Sequence, residues 1–113
     1  MWLVINTLAY KGDEINMARF FGYIRIGRKE NFEKFKSIFD AASNRRKSAG
    51  SKGGYLFRDI EDPNHVIILL EWDNPEKAKE YIQSEYVKNL MVEAGNIGTP
   101  EDILIEEVEK VEF

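Results

Sequence analysis

Cysteine is absent from this chain of 113 residues. Disulfides, thiolate zinc sites, iron–sulfur clusters and thiol nucleophiles are thereby excluded. A positive charge excess is missing too: 16 Lys and Arg stand against 20 Asp and Glu, a net charge of −4. General binders of nucleic acid or anionic membrane need a dominant basic surface, so both classes are disfavoured. No apolar run reaches bilayer length. The N-terminal one, Trp2 to Tyr10, is too short to span and has no basic segment before it. What is present is ordinary for a globular protein of one domain, 43% hydrophobic and 32% charged. A soluble, cytoplasmic protein is the plain expectation.

The punctuation of the chain divides it at about Ala18. Residues 1–17 read as an N-terminal extension whose apolar part, WLVINTLAY, forms an added strand or arm. Met17 follows the polar stretch KGDEIN, so a leader with a second start would look the same. Residues 18–113 read as the compact domain. ARFFGYIRI alternates aromatic and β-branched residues as a strand does, and Gly27 is expected to end it. A helix is predicted from about Lys29 to Ser48, with Phe32, Phe35, Phe39 and Ala42 on one stripe and Gly50 as its stop. The basic run Arg45, Arg46 and Lys47 then suits the negative end of the helix dipole.

GGYLFRDI and HVIILLEW read as two strands of a hairpin, joined through the turn formers Asp62, Pro63 and Asn64. Asn74 caps the next helix with Pro75 at its first position, and the helix runs to Ala94 before Gly95. Ser84 followed by Glu85 marks a kink or second start within it. NIGTPED reads as a loop leading to a last strand, ILIEEVEKVEF. The order βαββαβ predicts an α+β, ferredoxin-like domain: a four-stranded antiparallel sheet with both helices on one face. Its bare face, also apolar in HVIILL, predicts a homodimer formed through sheet faces.

Strand one, the hairpin closing on Glu71 and Trp72, the stretch DNPEKAKEYIQS followed by EYVKNL, and the loop with Gly98 and Pro100 carry a family resemblance. Together they resemble the antibiotic biosynthesis monooxygenase-like domains of the dimeric α/β-barrel superfamily. The resemblance implies a pocket in each subunit, between sheet and helices. It is similar in kind to oxygenases of aromatic polyketides that use neither metal nor flavin, and to haem-degrading enzymes. In the haem-degrading branch, alignment on Trp72 and QSEYVK puts Tyr81 at a tryptophan and Met91 at the iron-ligating histidine. Phe21 or Tyr23 falls at that branch's asparagine. None of the three matches, and the one histidine, His65, lies on the hairpin, so haem degradation is not expected.

The expectation is a cofactor-independent monooxygenase-like protein acting on a small aromatic metabolite of the phenol or quinol type. Such chemistry needs no bound cofactor. It needs a dry, aromatic-lined chamber and a group that holds the substrate anion. Tyr23 and Arg25 share a strand face and are the candidate catalytic pair, with Arg25 the strand-one cation expected near the pocket. Tyr55, Trp72, Tyr81 and Met91 are candidate ligand-binding residues, and no metal site is expected. Each has a plainer reading. Trp72 plugs the junction of strand and helix, and Tyr81 and Met91 share a packing stripe with Ala78, Val87, Leu90 and Ala94. A non-catalytic dimer that binds or senses a small ligand fits the same residues. RNA recognition does not: KGGYLF lies on the second strand, and the third, VIILLEW, is aliphatic where bases would stack.

Overall fold

The structure is a computed structural model and describes residues 20–113. The extension expected over residues 1–17 lies outside the described residues. β1 (Phe21–Lys29) is followed by α1 (Phe32–Ala41), α2 (Ser43–Ala49) and the hairpin of β2 (Ser51–Arg58) and β3 (His65–Trp72). Then come α3 (Pro75–Ile82), α4 (Glu85–Glu93) and β4 (Asn96–Glu106). The strands form one antiparallel sheet in the order β2-β3-β1-β4. This is the ferredoxin-like α+β arrangement, with each crossover helix broken into two segments.

Local chemistry accounts for the helix starts. Asn31, Asn74 and Ser84 each accept a hydrogen bond from the backbone N–H three residues on, so α1, α3 and α4 all begin on a side-chain cap. The break at Ser84 is the one expected. The break at Ala42 is not legible in the apolar stripe. There the N–H of Ala42 is shared between Ile38 and Phe39, and the Phe39 carbonyl takes a further bond from Arg46 Nη1 at 2.7 Å. Arg46 also lies 3.8 Å over the Phe39 ring. It is half-buried, not part of a solvated helix end. Gly50, with φ of +117°, closes α2 in the left-handed region, as its position predicts.

β3 shows the period of two that the sheet imposes. Val66, Ile68, Leu70 and Trp72 are buried beneath the helices, while Ile67 and Leu69 face the other way. The core gathers these four with Tyr23, Phe35, Ala78 and Ala94. Trp72 is 1% exposed and its indole N–H finds no acceptor among the described residues. Its contribution is therefore apolar area and shape.

Among the boundaries that differ from expectation, the end of β1 and the start of β4 shape the site. β1 does not end at Gly27 but continues to Lys29, pairing Arg28 with Ile97 and Lys29 with Asn96. β4 begins at Asn96, inside the stretch read as a loop, and ends at Glu106, so Glu107–Phe113 is not strand. Between Ile26 and Arg28 the register slips by two residues on β4, where Gly98 has φ of +71° and Pro100 follows. An edge strand tolerates such a bulge and such a proline, because its outer N–H groups need no partner in the sheet.

Candidate functional site

The helix-facing side of β1 carries Tyr23, Arg25 and Lys29, all buried. The residue across from Arg25 on β4 is Asp102. Its carboxylate accepts from Arg25 twice, Nε to Oδ1 at 2.7 Å and Nη2 to Oδ2 at 2.9 Å. The Tyr23 hydroxyl donates to Oδ1 as well, at 2.7 Å. The third corner of the guanidinium, Nη1, is directed at Met91 Sδ on α4. A planar fork matched to a carboxylate is the strongest ion-pair geometry available to these side chains.

The electrostatics follow from that geometry. Burial raises the Tyr23 phenol well above its ordinary range; the Arg25 charge opposes this and Asp102 reinforces it. For Arg25, burial disfavours the cation, but Asp102 and Tyr23 outweigh burial and its pKa rises. Asp102 is held below the usual carboxylate range: burial pushes it up, and the bonds from Arg25 and Tyr23 more than offset that. Arg25 and Asp102 therefore form a neutralised pair, with side chains 10% and 37% exposed.

Beneath this pair, between sheet and helices, lies a chamber of about 80 Å³. Its walls are mainly apolar, with Phe35, Ile68, Ile82 and Leu90 among them, and Tyr23, Arg25, Lys29, Arg46 and Tyr81 supply the polar atoms. Ligand pockets that enclose drug-sized molecules run to roughly 300–1,000 Å³. This chamber suits a ligand no larger than a single ring unless a side chain yields. Met91, with its flexible thioether, is the wall residue most able to do so.

Four of the six residues singled out from the sequence thus meet at one place: Tyr23, Arg25, Tyr81 and Met91. Trp72 does not line the chamber. It stands behind Tyr81, ring centroids 5.4 Å apart, and supports that wall. Tyr55 is elsewhere, 65% exposed and stacked on Phe57 at 5.7 Å. The period of two explains it: Leu56 packs inward on β2, so both neighbours turn to the helix-free face. Asp102 and Lys29 were the residues missed. Each sits in a stretch whose strand character was hidden by glycine, Gly27 for Lys29 and Gly98 for Asp102. Extending the alternation of Tyr23 and Arg25 past Gly27 would have found Lys29.

Comparison with known proteins agrees with this architecture. No curated protein sequence matches the chain significantly. Among solved structures, a cofactor-independent oxygenase from Streptomyces nogalater, SnoaB, superposes with a TM-score of 0.66 at 14% identity, covering 82% of this chain and 96% of that one. A Bordetella bronchiseptica protein described as a candidate antibiotic biosynthesis monooxygenase superposes with a TM-score of 0.67 at 16% identity, covering 81% and 98%. A conserved protein from Methanosarcina mazei gives 0.64 at 12% identity, covering 81% and 96%. At such identities the structures attest the fold alone. The sequence profile of the antibiotic biosynthesis monooxygenase family matches residues 17–93, well over half of the chain. With a ferredoxin-like sheet, a chamber beneath its helices and this match, the chain belongs to the antibiotic biosynthesis monooxygenase family.

Proposed function

We propose that this protein is a cofactor-independent monooxygenase of small aromatic metabolites of the phenol or quinol type, working as a homodimer. The observation that supports the reading is the chamber: a mainly apolar, aromatic-walled space whose few polar groups are Tyr23, Arg25 and Lys29 on β1, Arg46 on α2 and Tyr81 on α3. In such a reaction a phenol is deprotonated and its para C–H becomes C=O. One oxygen atom of O2 enters the ring and the other leaves as water, and all four electrons come from the substrate. The protein has to take the hydroxyl proton, hold the anion and keep water out. Arg25, fixed by Asp102, which Tyr23 holds in turn, would present its guanidinium beside the ring without changing rotamer on binding. The name of the SnoaB neighbour gives the same reaction class, and supports the reading by analogy.

The dimer rests on the other side of the sheet. Rows Tyr55–Leu69–Ile24–Ile103 and Phe57–Ile67–Ile26 run across three or four strands, and among the described residues no helix lies over them. Tyr55, Phe57 and Ile103 are 65%, 48% and 48% exposed. A patch of this kind is matched most simply by its own copy about a two-fold axis.

One observation favours a ligand-binding protein without catalysis. Each nitrogen of the Arg25 guanidinium already makes one contact, to Asp102 or Met91, which leaves only two of its five N–H groups for a substrate anion. Oxygen uptake with a panel of single-ring phenols and quinols separates the two readings. Protein-dependent uptake, saturable in substrate, is the expected result; saturable binding with no uptake by any of them would leave the binding protein.

A further inference from the structure

The chamber holds a second cation that differs from Arg25 in one respect. Lys29 is 4% exposed, yet no carboxylate lies within ion-pair distance of it among the described residues. Its Nζ donates to Asn96 Oδ1 at 2.7 Å and lies 4.9 Å from the centre of the Phe35 ring. Its backbone is pinned, with the N–H bonded to the Asn64 carbonyl at 2.9 Å and the residue paired with Asn96 on β4. The side chain is therefore aimed into the chamber with two of its three hydrogen-bonding positions unspent. A lysine this deeply buried is ordinarily paired. Among the described residues that partner is missing.

We infer that Lys29 Nζ is the proton acceptor of the chamber, and that its substrate class is single-ring aromatics bearing a weakly acidic hydroxyl. The inference rests on the function proposed above and assigns the step that Arg25 cannot perform. Arg25 is paired with Asp102, and a guanidinium does not lose its proton in proteins. As a neutral amine, Lys29 keeps one N–H on Asn96 and presents its lone pair to a hydroxyl in the chamber. The O–H bond of the phenol breaks, the proton becomes the third N–H of the ammonium, and the phenolate stays beside it as the missing counter-charge.

The surroundings make the neutral amine accessible. Burial and then the Arg25 charge bring the Lys29 pKa down to about 8. The other titratable groups bordering the chamber are Tyr23 on β1, Arg46 on α2 and Tyr81 on α3. Asp102 on β4 is bound to Arg25, and α1 and α4 contribute only apolar side chains to the lining. Burial lowers the Arg46 pKa, although a guanidinium does not lose its proton in proteins, and raises that of Tyr81, which favours the neutral phenol.

Proton release on binding tests this directly. Phenol, which ionises near 10 as a tyrosine side chain does, is added to the full chain in weak buffer at a series of pH values. Phenolate in the complex is followed by ultraviolet difference absorption. Below the pKa of about 8, the ammonium is already formed, so binding as phenolate releases one proton; above it the amine keeps that proton and release falls towards zero. Lys29→Arg, a permanent cation, should release one proton across the whole range. Lys29→Met should bind phenol in its neutral form, with no phenolate band and no release at any pH. A phenolate band in Lys29→Met equal to that of the wild type, or a wild-type release that does not change with pH, would overturn the assignment of Lys29. Failure of phenol to bind the wild type at all would overturn the chamber as a phenol site, a different result, and this inference with it.

Discussion

The two faces of the sheet invert the usual rule. On the helix-covered face, Tyr23, Arg25 and Lys29 are buried and Asp102 joins them from the edge strand. On the helix-free face, isoleucines, Leu69, Tyr55 and Phe57 are left partly or largely exposed. Buried charge is costly unless paired, and exposed apolar area is costly unless covered. Each face therefore carries an unfavourable feature that stability alone would remove. Under the function proposed above, the buried charges serve a ligand and the bare apolar face takes another copy. A single strand, β1, feeds both, with odd-numbered residues inward and Ile24 and Ile26 outward.

The largest expected effect lies in the core behind the chamber wall, where Trp72 packs on Tyr81. Trp72 is fully buried, so Trp72→Ala should cost about 3–5 kcal/mol of stability. Denaturant unfolding will read this as a lower midpoint with little change in slope. An effect below about 1 kcal/mol would mean that the Trp72 side chain is not the packed plug described.

Next comes the helix-free face. Leu69 sits near its centre, between Tyr55 on β2 and Ile24 on β1. Leu69→Asp should weaken dimerisation by about a hundredfold or more, ~2.7 kcal/mol, while the far-ultraviolet spectrum of the monomer stays unchanged. Sedimentation of the wild type as a monomer at micromolar concentration would refute the dimer itself.

A smaller effect is expected at the ion pair. Asp102→Asn leaves Arg25 buried with a weaker partner. Because the Asp102 side chain is 37% exposed, water reaches the vacancy. The loss should be about 2 kcal/mol, below the ~3–5 kcal/mol of a fully buried pair. The sign with pH is set by the depressed Asp102 pKa. A carboxyl with a lowered folded-state pKa stabilises the fold above its unfolded value, near 3.9, and that contribution is lost as pH falls through the folded value. Asp102→Asn should therefore destabilise at neutral pH and flatten the acid limb of the stability curve. Equal losses at pH 7 and at pH 2 would show that the pair is not the source.

Much of this architecture was readable in the residues. The strand HVIILLEW spans His65–Trp72 as written, since continuous apolar residues bounded by turn formers leave little choice. Ser84 announced the break between α3 and α4 because a capping side chain acts locally. The site was legible only in part. Tyr23 and Arg25 could be assigned to one face by alternation alone. Their partner Asp102 lies 77 positions beyond Arg25 and comes into register only because β4 begins at Asn96 and bulges at Gly98–Pro100. Pairing between distant strands depends on register, and a glycine or proline that hides a strand end hides the register with it. Lys29 was missed for the same reason. Tyr55 was misplaced because an aromatic side chain on an alternating strand is equally at home on either face until the inward neighbour, Leu56, is known.

The central claim is that the ligand is handled on the helix-covered face and assembly on the bare one. Methyl-resolved NMR during a titration with phenol tests this most directly, because both faces carry reporters. Met91, Ile68 and Ile82 line the chamber, and Ile24, Ile67 and Leu69 lie on the opposite face. Saturable shifts are expected at the first three, with the second three unmoved. Shifts concentrated at Ile24, Ile67 and Leu69, or none that saturate at Met91, would contradict that claim.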